Sequence, residues 1–444
     1  MNLKKLGIIC SLLSTTILGS SIDHVQNYTP EYNANPAQQG AINKSATVYF
    51  NPAGIMRLGE GTYFTGGLQI AFGQETMKYD KKTGDKSSNT YDADLLAPIP
   101  NFAIYKIQGD KAYFFTFGPQ AGGGKLEYED GVSGVKVLED IPNLVALDEK
   151  LNGFTATANS HSATGENVYA QATLGTAWNI NSKLSLSTAG KVVYGYRKLS
   201  GDLNATLTNG QNTIPLTASI DSERTAWGIG GQFGLNYALN ETWNIGVRYD
   251  TPIKMTFKTK ATSNTTLSGF GFETFFPQYA DGTSYRRDLP GILAIGASQK
   301  ISEKFTIFYG GNYYFNESAN IDRDVVTTDP ITGEKHSGVE YKNGWEISLG
   351  TEYWINDKIA ILSGINYANT GAKSESYSDV EFALNSILVG GGIKYLPSED
   401  MEIILAISHY FYDSDSNDKY GSSANPLVYE KNISSVGVSF SKKL

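Results

Sequence analysis

Short polar turns alternate with long polar connections along this chain. That rhythm restricts it to an antiparallel meander whose two ends meet different surroundings. Six tight turns stand out, at residues 108–111, 179–183, 239–242, 301–304, 355–358 and 396–400. Each is flanked by strand-like segments, and a longer loop separates each turn from the next. Six hairpins make twelve strands. One strand around 61–73 and another around 428–440 raise the count to fourteen. An even count, short turns at one rim and long loops at the other are expected of a transmembrane barrel.

Residue alternation supports the individual strands. Trp243, Ile245, Val247 and Tyr249 alternate with Asn244, Gly246, Arg248 and Asp250. Trp345, Ile347, Leu349, Thr351 and Tyr353 alternate with Glu346, Ser348, Gly350 and Glu352. The apolar sets would face lipid and the polar sets the lumen. A lipid-facing Arg or Lys near the midplane costs roughly 2–4 kcal/mol, which turns Arg248 inward. Trp178, Trp243, Trp354 and Tyr249 fall near predicted strand ends, where an interfacial girdle would lie. Mean hydropathy is only −0.27, as expected where just one face of each strand is greasy. The competing soluble β-sandwich fits poorly with strands this long and loops this one-sided.

The first 21 residues read as a cleaved secretory leader. Lys4 and Lys5 precede an apolar run from Leu6 to Leu18, and Gly19, Ser20 and Ser21 offer a cleavage site. Cys10, the single cysteine, lies inside it. The mature chain then lacks thiol chemistry and disulfides. Removing Lys4 and Lys5 leaves 34 of the 36 basic residues against 45 acidic ones, a net charge of −11. An acidic chain without basic clusters argues against a nucleic-acid partner. The expected organisation is a leader over 1–21, a non-alternating segment over 22–58 and a barrel over 59–444.

The segment 40–55 carries a run of small residues, the aromatic pair Tyr49-Phe50, and then Asn51-Pro52-Ala53-Gly54 just ahead of the first strand. It resembles the signature of the FadL/TodX family (OMPP1/FadL/TodX) of outer-membrane transporters. The stretch 243–254, Leu289-Pro290 and Asn343-Gly344-Trp345 look similar to that family as well. The resemblance covers roughly residues 40–440. It departs where the chain ends in Ser-Lys-Lys-Leu rather than in an aromatic residue, and around 382–385, where the family's Pro-Asp-rich stretch is not evident. It implies an all-β barrel of about fourteen strands with an N-terminal hatch inside the lumen. Asn51, Pro52, Ala53 and Gly54 would then belong to the gating element. Pro52 fixes a bend and Gly54 permits an unusual dihedral. An ordinary turn into the barrel is the plainer alternative.

Such a family also implies uptake of long-chain fatty acids or other hydrophobic ligands, and a kinked third strand that opens a window to the bilayer. Gly118, Pro119, Gly122, Gly123 and Gly124 fall where that kink would lie. Proline donates no ladder hydrogen bond, and glycines weaken strand packing. A strand end running into a loop is the alternative. The next loop reads as a short helix over 141–153 with Leu144, Leu147 and Leu151 on one face. The fourth outer loop carries Phe270, Phe272, Phe275 and Phe276. Together they form either a capture groove or simply a loop core. Lys191, Arg197 and Arg248 share inward parity. Each could meet a carboxylate headgroup or pair with a lumen carboxylate such as Glu346 or Glu352.

No enzyme is expected. The four histidines form no metal-spaced pair, and Ser408-His409 lacks a nucleophile elbow. No cofactor or metal is expected. The expected partners are the hydrophobic ligand, outer-membrane lipids and lipopolysaccharide, and the barrel-assembly machinery, with the chain acting as a monomer. A general porin or a loop-mediated adhesin is the rival function.

Overall fold

A computed structural model describes residues 22–79, 90–133, 149–267, 277–328, 335–337, 341–377, 380–422 and 425–444, together with Val135, Glu139 and Leu144. Its wall is one closed antiparallel sheet. The strands are β1 (Gly61–Tyr79), β2 (Thr90–Gln108), β3 (Lys111–Tyr128), β4 (Thr155–Asn179), β5 (Leu184–Thr208), β6 (Thr213–Ala238) and β7 (Trp243–Asp250). They continue as β8 (Ile292–Lys300), β9 (Phe305–Tyr314), β10 (Gly344–Asn356), β11 (Ile359–Asn369), β12 (Ser386–Ser398), β13 (Met401–Tyr412) and β14 (Asn425–Lys443). Each pairs with the next, and β14 closes on β1 from Tyr63↔Lys443 to Tyr79↔Leu427 without a break. The six tight turns all lie at one rim.

Alternation decides which face is which. Ile229 is 77% exposed and Trp227 56%, whereas Gln232, of opposite parity on the same strand, is buried. On β14, Val436 and Val438 are exposed while Ser435 and Ser439 are buried. Along these stretches the exposed face is thus apolar and the buried one polar, the reverse of a soluble domain. Trp354 departs from the expected girdle. It points inward, its indole N–H donating to Glu352 Oε1 at 2.9 Å with the Lys394 ammonium 5.9 Å from its ring.

A crossing needs about 9–11 strand residues. β4 and β5 have 25 each and β6 has 26, so their outer halves stand clear of the membrane opposite the tight turns. The loop after β3 folds onto this extension. Leu144, Leu151 and Phe154 bury against Leu203, Leu207 and Leu216.

Residues 22–58 form no strand and lie inside the wall as α1 (Pro30–Ala34), α2 (Thr47–Phe50) and three 3-10 turns at Ile22–His24, Gln38–Gly40 and Pro52–Arg57. Irregular backbone is tolerated at membrane depth when protein surrounds it. Residues 30–40 run around the inner wall on a belt of small residues. A Cβ on Gly390 would come within 1.9 Å of Asn33 O, one on Gly246 within 2.0 Å of Gln39 O, and one on Gly310 within 3.0 Å of the Ala37 Cα. The belt follows ladder neighbours in two runs, Gly246↔Gly296↔Gly310 and Gly350↔Gly364↔Gly390, with Ser348 opposite Gly310 between them. Only hydrogen at these positions lets the strap lie flush against the strands.

Candidate functional site

Among the described residues, β2 and β3 are neighbouring strands that part over a long stretch. β2 and β3 pair from Gln108↔Lys111 up to Phe102↔Phe117, and then only again at Asp94↔Glu127. Between those anchors β3 takes ten steps and β2 takes eight. The β4 side shows the same excess. From Phe117↔Ala172 to Glu127↔Thr164, ten steps on β3 face eight on β4, with irregularities at Pro119/Ala121 and Ala121/Gly124. Two extra residues in β3 must bulge somewhere. Being two, they restore the inside–outside phase beyond the bulge.

The bulge goes inward. Gly118 to Gly124 are seven consecutive buried residues, where an ordinary wall strand would alternate. Gly122 (φ 128°) and Gly124 (φ 73°) adopt backbone conformations that L side chains resist. The Gly123 N–H donates to the Asn167 side chain rather than to a ladder carbonyl. On β2 the opposite stretch holds Pro98 and Pro100, which cannot donate ladder bonds.

Two cavities flank the displaced strand. One lies between Gly118, Pro119 and Gln120, the hatch residues Tyr28, Tyr32, Val48 and Tyr49, and Lys191, Arg248 and Asp250. The other adjoins Gly123, Gly124, His24, Arg197 and Phe382. The lumen face of β2 is apolar throughout its outer half, with Tyr91, Ala93, Leu95, Ala97 and Ile99 buried in one cluster with Tyr28, Phe382, Tyr429 and Ile433. The outer half of β2 thus presents a packed apolar lumen face that ends at the parting.

The hatch is pinned at both ends. Asp23 sits between two arginines, accepting from Arg197 NH1 at 3.0 Å and Arg287 NH2 at 2.7 Å. Burial alone would raise its carboxyl, but Arg287 and Arg197 reverse that and hold it below the usual carboxylate range. Asp23 and His24 both have left-handed backbones (φ 54° and 55°), a conformation costing about 1–2 kcal/mol per residue for a non-glycine. At the other end, Arg248 NH1 donates to the Tyr49 and Phe50 carbonyls at 2.8 and 2.7 Å, capping α2. Asn51 Nδ2 donates to Leu235 O at 2.9 Å, and Ser185 Oγ to Ala53 O at 2.7 Å. Pro52 opens its 3-10 turn. Gly54 does not use a left-handed dihedral. It is small because a Cβ would stand 2.8 Å from Thr47 Cγ2.

The basic residues expected to meet a headgroup are all engaged. Lys191 pairs with Asp250 at 2.9 Å and donates to Gln120 Oε1 at 3.0 Å. Arg197 holds Asp23 and Glu381, and Arg248 holds Asp250 at 2.9 Å. The partners differ from the sequence expectation. Glu352 pairs with Lys394, and Glu346 accepts from Tyr32 and Asn366. Each of the seven buried cations among the described residues meets a carboxylate.

Leu144 and Leu151 are wholly buried in the loop core. Glu149–Leu151 is a 3-10 turn. Most of the helix expected over 141–153, Leu147 included, lies outside the described residues, as do Phe270, Phe272, Phe275 and Phe276. The structure therefore brings together the kink glycines, Lys191, Arg197, Arg248 and the hatch. Sequence reasoning missed Asp23, Tyr28, Asn101 and Arg287, which carry no local pattern. It also missed Pro98 and Pro100, where two prolines in mid-strand were a legible signal.

The model of the outer membrane protein transport protein family (OMPP1/FadL/TodX) matches residues 152–436. The chain is 21% identical to the long-chain fatty acid transport protein of Salmonella typhi over 52% of this chain and 57% of that one. It is 21% identical to that of Escherichia coli K12 over 47% of each. The chain thus spans about half the length of the curated relatives it matches. Among solved structures, a Pseudomonas aeruginosa FadL homologue superposes with TM-score 0.65 at 13% identity, covering 92% of this chain and 98% of that one. The Pseudomonas putida toluene transporter TodX superposes with TM-score 0.62 at 16% identity, covering 96% and 100%. At such identities the superpositions show the shared fold.

Proposed function

The chain belongs to the OMPP1/FadL/TodX family of outer membrane transport proteins, and from that premise we propose that it admits hydrophobic small molecules across the outer membrane and releases them sideways between β2 and β3. The observation that carries this reading is the coincidence of a hatch-filled lumen with the two-residue excess in β3. An apolar solute resists an aqueous exit by about 25 cal/mol per Å² of its surface. The greasy face of β2 leads such a solute toward the parting rather than the periplasmic rim.

In this reading the solute enters through the outer loops and travels along Tyr91, Leu95 and Ile99. The hatch, with its Asn51-Pro52-Ala53-Gly54 turn, blocks the axial route, and the solute leaves beside Pro119 and Gly122. A long-chain fatty acid reaching Arg197 must compete with Asp23 and Glu381 for the guanidinium. A neutral solute displaces no charge. Residues 1–21 serve as a cleaved leader, the mature chain works as a monomer among lipids and lipopolysaccharide, and the barrel-assembly machinery inserts it.

The test is uptake of radiolabelled long-chain fatty acid and of radiolabelled toluene by cells with and without the protein. Faster entry of at least one supports the reading, and equal entry of both contradicts it. Planar-bilayer conductance separates the porin alternative: free ion flow through the intact chain would favour a porin over a hatch-closed transporter.

A further inference from the structure

The cavity beside Pro119 is lined unlike a seat for a plain hydrocarbon. Eight of its lining side chains are carboxamides and three are charged. Along the lumen face of β2, Ile99 ends the apolar run, and the next inward residue, Asn101, already lines the cavity. The Asn101 amide donates to Tyr28 O at 3.1 Å. The charges around the cavity are balanced. Lys191 and Arg248 share Asp250. Glu346, which accepts from the lining Tyr32 at 3.2 Å, supplies a second carboxylate. The uncharged atoms are not balanced. Asn27 Nδ2, Gln39 Oε1, Tyr49 OH and Asn312 Oδ1 belong to lining side chains, are buried, and have no hydrogen-bond partner. Gln39 is only 4% exposed. Buried polar atoms without partners cost free energy, so a set of them around one cavity points to a hydrogen-bonding guest. One is a donor, two are acceptors, and the hydroxyl can be either.

We propose that this cavity receives the uncharged, hydrogen-bonding head of an amphiphile, an amide or an alcohol, while its chain lies against the apolar face of β2. The inference rests on the transport reading and deepens it by naming the class of solute. A carboxylate head would add an uncompensated charge to a buried site whose charges already cancel. A plain hydrocarbon would leave the four atoms unpaired, and a site that hydrogen-bonds its ligand rejects the analogue that cannot. A primary amide offers a carbonyl for Asn27 and N–H groups for acceptors such as Gln39.

The test uses the full chain in lipid nanodiscs, equilibrated with dodecanamide, dodecanoate or dodecane, and counts the retained ligand by native mass spectrometry. Each variant is compared with the wild type for the same ligand, so partition into lipid cancels. Asn27→Leu combined with Gln171→Met removes two lining carboxamides, one from the hatch and one from β4. Dodecanamide retention should fall at least about fivefold, while dodecane retention holds or rises. Asp250→Asn unbalances the charges instead. It should raise dodecanoate retention and leave dodecanamide nearly unchanged. Heat-modifiable gel mobility reports folding, and either folded variant decides alone. Dodecanamide retention unchanged in the carboxamide variant, or lost in parallel with dodecane, overturns the inference, as does dodecanoate retention unmoved by Asp250→Asn. The transport reading fails on a different result, equal uptake by cells with and without the protein, because a carrier with no head site would still admit a hydrocarbon.

Discussion

The two seams on either side of the β1–β2 hairpin are opposites. The closing seam, where β14 returns to β1, is the place a barrel might be expected to fray, since it joins the chain's two ends. Yet it pairs without interruption from Tyr63↔Lys443 to Tyr79↔Leu427, and a fully buried Lys431–Glu75 ion pair spans it. The seam between β2 and β3 joins strands linked by a tight turn, where pairing is easiest, and it is open. The opening is therefore no accident of closure. It comes from two surplus residues in a run of glycines, placed opposite Pro98 and Pro100.

Breaking the closed seam should have the largest effect. Glu75→Ala leaves Lys431 buried without its carboxylate, and loss of a buried partner costs about 3–5 kcal/mol. Thermal loss of the folded gel band should drop sharply. Gln120→Ala in the open seam should lower that transition far less, because Lys191 loses one neutral acceptor but keeps Asp250 and no ladder bond to β2 depends on Gln120. Equal drops for both would erase the contrast.

The strap comes next. Gly390→Val drives a side chain into Asn33 O, and overpacking of this kind costs about 1–3 kcal/mol. The barrel should survive while the hatch loses its seat, which planar-bilayer recordings would register as new open-channel conductance. Gly190→Val, where nothing lies within 4 Å of the added Cβ, is the matched control and should stay silent.

Arg248→Met removes the two donors that cap α2, each worth about 1.5–3 kcal/mol at most for a charged group. Asp250 keeps Lys191 and Gln232 as partners, so the wall should be unaffected. Brief conductance bursts, rarer than for Gly390→Val, are the expected record, and a trace like the wild type's contradicts the cap.

The smallest effect should be a pH dependence of hatch seating. Asp23 is held below the ordinary carboxylate range, so its pin is intact above that range and lost only as pH falls through its depressed folded value. Glu31, on α1, is shifted the other way: burial pushes it up, with Glu402 adding to the effect. Its seat prefers the protonated form, and that preference is lost as pH rises through the raised value. Conductance bursts should therefore increase as pH rises above the ordinary carboxylate range. Glu31→Gln should flatten that increase. A slope identical to the wild type's would show that Glu31 plays no part.

Much of the wall was legible because its two signals are local. The tight turns and the lipid-facing parity of 345, 347 and 349 follow from spacing alone. The kink was legible in Pro119 and the glycines, but its cause was not: a two-residue excess exists only relative to β2 and β4. The hatch contacts were illegible for the same reason. Asp23 meets Arg287 across 264 residues, and Gly390 reads as an ordinary strand glycine until Asn33 lies against it. Lys191, Arg197 and Arg248 were placed inward by parity, yet parity could not say that each already faces a carboxylate.

In the proposed route, transport depends on the open seam. Deleting Gly122 and Gly123 and replacing Pro119 with Thr removes the two surplus residues and lets β3 pair evenly with both neighbours. Uptake of the radiolabelled solute that the wild type admits should then fall to the level of cells lacking the protein, with the barrel still folded and the hatch still seated. Wild-type uptake through a barrel whose β2–β3 ladder is shown continuous by amide exchange would contradict it.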